Sequence, residues 1–346
     1  MVFSIKKYFG LKEAVLLLLG IIIFFIVLRQ IKIEEAFLAF QRTNLQILLL
    51  FISIKVGQYL LGNYKWKIFV DRLRKVSYTK LLPVYFSGMI VDNLVPGPGF
   101  GGEPVRAYYL SRLIKRSTAK CFATALMDSI VFSIALIGFL IISIGYVFLY
   151  VKIPIIRVAL KVIIVALAAA GGLFVYFFYK KDGALFDKTL KFIYHFRLFR
   201  ALQKRFSKYL HFRDYVRKQF SEFIATMKLL GGDISASLYS ILISLAIILL
   251  DFFGAKILIS SFGEHISFLS IMVIMTVSGF IGYYAGIPGG IGVAEGSMIL
   301  LFVFFGISVG VATAVTIISR IIFYIMTYGI GYLSFVYINL TKSSGN

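Results

Sequence analysis

Five ionisable residues stand where a membrane-embedded chain tolerates them least: Glu103, Arg106, Asp128, Glu295 and Arg320. All lie within or beside long apolar runs, where an unpaired charge costs about 3 kcal/mol on insertion scales. A carboxylate held at such depth can accept a cationic headgroup, a proton or a neighbouring arginine. Arg106 follows Glu103 by three residues, so on a helix the two share a face. Its guanidinium is also the best phosphate ligand in the chain, since it can offer two parallel hydrogen bonds. A plainer role is open for both glutamates. Each follows a glycine-rich bend where a helix restarts, and an acid there is favoured by the helix dipole. Arg112, Lys115 and Arg116 would extend a basic approach for headgroups, although membrane orientation alone also accounts for them. No His, Cys or Ser constellation accompanies the acids, so the pattern is not that of an enzyme, and neither a metal nor a cofactor is expected.

Two interrupted stretches must position these groups. The first carries Pro96, Gly97, Pro98, Gly99, Gly101, Gly102, Glu103 and Pro104; the second carries Pro288, Gly289, Gly290, Gly292 and Glu295. Backbone that cannot stay helical leaves unpaired N–H and C=O groups, tolerated at membrane depth only inside protein or beside a wet cavity. The prolines and the glutamates of the two stretches are each separated by 192 positions (288 − 96 and 295 − 103).

Composition sets the environment. The chain has 346 residues, 60% hydrophobic, with mean hydropathy +0.92, which excludes an ordinary soluble domain. The net charge of +22 lies between apolar runs, where it orients the chain and meets anionic headgroups; nucleic acid is not an expected partner. With one cysteine, Cys121, no intrachain disulfide is possible. Six segments are apolar over about the 20 residues that a crossing needs: 11–28, 45–62, 120–149, 157–179, 234–258 and 308–338. Two further apolar runs, 81–95 and 267–287, lead into the Pro/Gly stretches.

Charge bias arbitrates between crossing and returning. Residues 65–80 carry Lys65, Lys67, Arg72, Arg74, Lys75 and Lys80 against Asp71, and residues 106–120 carry five basic residues and no acid. Both flanks of the first stretch therefore read as cytoplasmic, making 81–112 a re-entrant hairpin. The flanks of the second hold neither Lys nor Arg, making 267–304 a hairpin from the other face. The count places both termini in the cytoplasm of a multi-pass plasma-membrane protein. Segment 180–233, with thirteen Lys and Arg, reads as a basic amphipathic connector that meets anionic inner-leaflet lipid or simply fixes topology. The expected fold is all-α and polytopic, one membrane domain over 1–346. Its repeats, 45–150 and 237–342, are related by inverted topology, because an odd number of crossings separates them. The shift of 192 also sets Arg320 on Asp128, which predicts an ion pair between the halves.

At Gly101-Gly102-Glu103-Pro104-Val105-Arg106-Ala107-Tyr108, at Ile287 to Glu295 and at Arg320, the chain resembles the flippase-like membrane family that includes the transmembrane region of lysylphosphatidylglycerol synthases. The resemblance covers roughly 10–340 and implies movement of a phospholipid or lipid-linked headgroup between leaflets. Two departures accompany it. No soluble aminoacyl-transferase domain follows Asn346, so lipid synthesis is not expected, and a Glu-Arg pair often found in relatives near Thr124-Ala125 is neutral here. Without a nucleotide-binding motif, translocation would be passive or driven by ions or membrane potential. The alternatives are a secondary transporter of a small soluble solute and a membrane scaffold for a lipid- or glycan-modifying enzyme. Homo-oligomerisation is left open.

Overall fold

The computed structural model describes residues 44–95, 101–150 and 209–343, with the isolated positions 41, 191, 194 and 206. Among the described residues every regular element is helical. In chain order these are α1 Leu45–Val70, α2 Tyr78–Leu94, α3 Gly102–Ile114, α4 Thr118–Tyr150, α5 Tyr209–Gly232, α6 Ile234–Ser260, α7 Phe268–Tyr284 and α8 Val293–Phe304. A last helical rod comprises α9 Val309–Tyr324, a π-helical segment Ile325–Ile330 and α10 Gly331–Ser343. Among the described residues, four stretches are long and apolar enough to cross a membrane: α1, α4, α6 and Val309–Ile338. The expected crossings at 11–28 and 157–179, and the N-terminal part of the basic connector, lie outside the described residues.

Side-chain caps explain where the long helices begin. Asn44 accepts from the Gln46 N–H, Asp233 from Ala236, Ser267 from Ser270 and Ser308 from Val311. Each satisfies one of the N-terminal donors that a helix cannot pair internally. The helix expected to end at residue 62 runs on to Val70, so Lys65 and Lys67 are helical rather than loop residues. The helical pattern continues because Asn63, Lys65 and Trp66 are buried against neighbouring elements instead of meeting water.

Two packing units are distinguished, Met1–Ser143 with Met227–Asn346, and Ile144–Thr226. In the first, α1 and α6 lie side by side and antiparallel. Phe51 is against Gly254, Lys55 bonds Asp251, Gln58 bonds the Ile247 carbonyl, and Tyr64 meets Tyr239, so partner numbers fall as α1 numbers rise. Helices α2 and α3 form one helical hairpin and α7 and α8 another. Close glycine contacts draw their arms together: a Cβ on Gly102 would lie 2.6 Å from the Gly88 carbonyl oxygen, and one on Gly282 would lie 2.5 Å from the Ala294 methyl. Each hairpin starts and ends at one end of its arms. Arg74, before α2, donates to the Ile114 carbonyl at the end of α3 (3.0 Å), and Glu264, before α7, accepts from the Ser308 N–H after α8 (3.0 Å). The larger apolar core joins α1, α4, α6, α7, α8 and α9 around Phe51, Phe252, Ile271 and Phe302. A second core around Trp66, Leu81, Leu110 and Cys121 holds the first hairpin to α1 and α4.

The second unit is described only in part. There Tyr194 and Phe212 form a small aromatic core with Phe206, Tyr209 and Val216, and the Tyr194 hydroxyl donates to the Phe206 carbonyl (2.9 Å).

Candidate functional site

The first ionic cluster forms where the first hairpin restarts. Helix α3 begins after Gly101, and Pro104 fits its first turn because the N–H it lacks has no helical partner there. Glu103 and Arg106 consequently face α4 and are almost wholly buried. Arg106 Nη1 pairs with Asp128 Oδ2 at 2.9 Å and Nη2 lies 3.4 Å from Ser129 Oγ, while Glu103 Oε1 is 4.0 Å away. Lys65 brings a second cation to Asp128, 3.0 Å from Oδ1, and also donates to its backbone carbonyl (3.1 Å). The Ser129 hydroxyl donates to Glu103 Oε1 (2.6 Å), and Glu103 Oε2 is buried with no hydrogen-bond partner among the described residues. On the other arm, Asp92 Oδ1 accepts from the N–H of Gly102, the residue preceding Glu103 (3.0 Å). The Arg106 guanidinium also stands 5.2 Å from the Trp66 ring and 5.7 Å from that of Tyr85.

The second cluster occupies the matching place in the other hairpin. The turn Pro288–Gly290 and the residue before α8 put Gly289, Gly290 and Gly292 at positive φ, a conformation that side-chain-bearing residues rarely adopt. A Cβ on Gly290 would also lie 2.8 Å from the Gly282 carbonyl oxygen. Glu295, in the first turn of α8, accepts from the Gly292 N–H through Oε2 (2.7 Å). Its Oε1 takes the Tyr324 hydroxyl (3.0 Å) and Arg320 Nε (2.9 Å). Glu295 therefore caps its helix and binds Arg320 at once, with both oxygens engaged.

The expected Asp128–Arg320 pair does not form. Each of α4 and α9 packs on its own hairpin, so Asp128 is taken by Arg106 and Lys65 and Arg320 by Glu295. Under the 192-residue shift Glu103 matches Glu295 and Asp128 matches Arg320: Glu295 binds Arg320 directly, whereas Glu103 and the stretch at Asp128 are joined through Ser129 and Arg106. In the first half both are acids, and Arg106 and Lys65 supply the countercharge. Arg106 is accordingly not an open phosphate ligand: its side chain is 7% exposed and its terminal nitrogens face Asp128 and Ser129. Arg320 is 20% exposed and is bound through Nε, which makes it the more accessible guanidinium.

Several polar residues escaped the sequence reading. Lys55 and Asp251 form an ion pair between α1 and α6, beside Gln58. Tyr59 lies beside Thr327, within electrostatic range of Asp251 and Arg320. The signal for them is a stripe through α1 of Lys55, Gln58, Tyr59, Gly62 and Lys65, at steps of one or three residues. The two hairpin ends also meet: a Cβ on Gly289 would lie 3.2 Å from the Tyr328 hydroxyl and 3.7 Å from the Asn93 carbonyl oxygen. Tyr328 belongs to the π-helical segment that follows Arg320, a form often found at functional positions. Arg112, Lys115 and Arg116 are exposed at the end of the first hairpin, with Arg112 stacked 4.3 Å from the Tyr108 ring. Pro96, Gly97 and Gly99 lie outside the described residues.

A family model described as the lysylphosphatidylglycerol synthase TM region matches residues 14–331. A UPF0104 membrane protein of Methanothermobacter thermautotrophicus is 26% identical over 336 residues, spanning 96% of this chain and 97% of its own length. One from Pyrococcus horikoshii is 26% identical over 323 residues, with 90% and 93% coverage. One from Methanocaldococcus jannaschii is 23% identical over 340 residues, with 94% and 95% coverage.

Proposed function

The chain belongs to the lysylphosphatidylglycerol synthase transmembrane-region family, and we propose that it is a lipid translocase. A polar or charged phospholipid headgroup would pass between leaflets along the two hairpins while its acyl chains remain in lipid. The observation that carries this reading is the presence of two ionic clusters, each at the restart of a broken helix pair, with the hairpin ends in contact between them. Charged and hydroxyl groups at such depth favour a polar path over an inert bundle.

The architecture we infer is an inverted-topology repeat with two re-entrant hairpins. Four observations support it. Helices α1 and α6 have 26 and 27 residues, and α2 and α7 have 17 each. Helices α3 and α8, with 13 and 12 residues, are about 20 and 18 Å long at 1.5 Å per residue, short of a hydrocarbon core of about 30 Å. The Arg74–Ile114 and Glu264–Ser308 contacts close each hairpin at the end where it begins. The antiparallel packing of α1 and α6 then gives the hairpins opposite faces of origin. Basic residues flank the first hairpin and not the second, which supports the cytoplasm as the face where the first begins. Six crossings, with both termini cytoplasmic, complete the arrangement.

Within this frame Arg320 is the group for a headgroup phosphate, and Arg112, Lys115 and Arg116 form the cytoplasmic approach. The experiment is reconstitution into phosphatidylcholine and phosphatidylglycerol vesicles, with fluorescent phosphatidylglycerol followed by chemical quenching at one face. Arg320→Ala is expected to slow movement by roughly ten- to a hundredfold, the equivalent of one charge-assisted contact of about 1.5–3 kcal/mol. Accumulation of a soluble solute without lipid movement would replace this reading with a secondary transporter, and movement of neither would leave the scaffold.

A further inference from the structure

We propose that a cleft beside the C-terminal end of α1 binds the headgroup of an anionic phospholipid from the adjoining leaflet, a resident lipid distinct from any that is carried. The leaflet rests on the orientation inferred above; the chemistry does not. The cleft, of about 470 Å³, is lined by Arg72, Lys228, Leu229, Gly232 and Asp233. Cavities of about 300–1,000 Å³ hold small ligands, so a phosphate with its glycerol fits. Leu230, fully buried with Phe69, Met127 and Val131, fixes the end of α5, and Lys228, Leu229 and Gly232 are consequently turned outward.

Two cations meet one carboxylate in this cleft. Asp233 accepts the Ala236 N–H through Oδ1 (2.9 Å) and Arg72 Nε through Oδ2 (2.7 Å), so both its oxygens are engaged. That contact holds the guanidinium by Nε. Its terminal nitrogens have no partner among the described residues, and the side chain is 48% exposed, which leaves two parallel N–H bonds on offer to a phosphate. Lys228 is exposed and likewise has no partner among the described residues. Nearby, Lys67 and Asp71 bond each other and Arg74 donates to the Ile114 carbonyl, so the cleft keeps its excess of positive charge. A zwitterionic headgroup would bring a cation of its own, and Asp233 has no free oxygen to receive it. An anionic headgroup is the match.

The surface next to the cleft identifies the source as a lipid rather than free phosphate. Ile234, Leu238 and Leu242 follow one face of α6 at four-residue steps, each more than half exposed, over about 12 Å. The exposed ring of Tyr64, on α1, meets Tyr239 beside them. An apolar strip thus leads from a cationic cleft along a helix long and apolar enough to cross the membrane. One phospholipid fits both, with its phosphate at the interface, where basic residues attract anionic lipid, and an acyl chain on the strip.

The test places the full chain in phosphatidylcholine vesicles containing a rising fraction of phosphatidylglycerol with brominated acyl chains, bromine being a short-range quencher. In a Cys121→Ala background, bimane attached through Leu242→Cys reports on the strip, and bimane attached through Ile134→Cys, on an exposed face of α4, reports on ordinary surrounding lipid. Quenching of the α6 label should saturate at a low phosphatidylglycerol fraction, whereas quenching of the α4 label should follow composition. Lys228→Gln should raise the half-saturating fraction about fivefold, the effect of one interfacial cation, and Arg72→Gln with Lys228→Gln should abolish saturation. A Cβ on Gly232 meets nothing within 4 Å, so Gly232→Leu fills the cleft at unchanged charge and should abolish saturation too. Quenching of the α6 label that follows composition, or saturation that survives the double variant and Gly232→Leu, overturns the proposal. Equal saturation by brominated phosphatidylcholine overturns the preference for an anionic headgroup, and displacement by millimolar inorganic phosphate assigns the cleft to the free anion in place of the lipid. Trp66 emission checks that each variant keeps its fold. None of these readings involves movement between leaflets, so failure of the translocase reading leaves them as they stand.

Discussion

Trp66 makes the first cluster measurable. It is the only tryptophan in the chain, fully buried, with its indole N–H on Thr124 (3.2 Å) and its ring under the Arg106 guanidinium. Its fluorescence in a denaturing-detergent titration therefore reports on the packing of the group being changed. Arg106→Met removes one of two cations from Asp128. Breaking a buried ion pair costs about 3–5 kcal/mol, and because Lys65 stays 3.0 Å away the lower end, about 3 kcal/mol, is expected. Asp128→Asn leaves Arg106 and Lys65 without their shared acid and is expected to cost about the same. The double variant removes one charge of each sign and restores the balance. Its loss should be about 3–4 kcal/mol rather than the roughly 6 kcal/mol of independent sites, a coupling of about 2–3 kcal/mol. If the losses add to within about 0.5 kcal/mol, Arg106 and Asp128 do not act as a pair and the cluster described above is wrong.

Three further outcomes follow from the geometry. Exchanging charges, Asp128→Arg with Arg320→Asp, should not rescue either single variant, because the two residues belong to separate pairs; recovery of stability or lipid movement would restore the direct pair. Gly290→Ala meets both positive φ and the Gly282 carbonyl, whereas Gly263→Ala meets positive φ alone with open space around it. Thermal unfolding should show the first costing at least about 1 kcal/mol more than the second, whose backbone strain is of order 1–2 kcal/mol. In a Cys121→Ala background, Lys55→Cys with Asp251→Cys should cross-link under mild oxidation, while Lys55→Cys with Tyr239→Cys, about 18 Å apart along α6, should not. The reverse pattern would mean that α1 and α6 run in another direction.

Membrane residence, the long helices and the two interrupted places were legible in the sequence. Each depends on local composition: about 20 apolar residues make a crossing, and Pro with Gly breaks one. Glu103, Arg106, Asp128, Glu295 and Arg320 were legible for the same reason, since an ionisable residue in an apolar run stands out by itself. Lys65 was hidden because it adjoins a basic segment and reads as part of it, although the helix carries it to Asp128. Lys55 and Asp251 were passed over because each is a single charge in its helix, and their meaning comes only from the partner 196 positions away.

What the tertiary structure alone decided is the pairing. Position along the chain made Asp128 and Arg320 equivalents, and equivalence under a pseudo-symmetry does not imply contact. Contact is set by which helix packs on which, and each of α4 and α9 lies against its own hairpin. That placement gives Glu295 a cation at 2.9 Å and leaves Glu103 4.0 Å from a guanidinium that Asp128 holds more closely, a difference between two identical residues in matching motifs that no property of either residue contains.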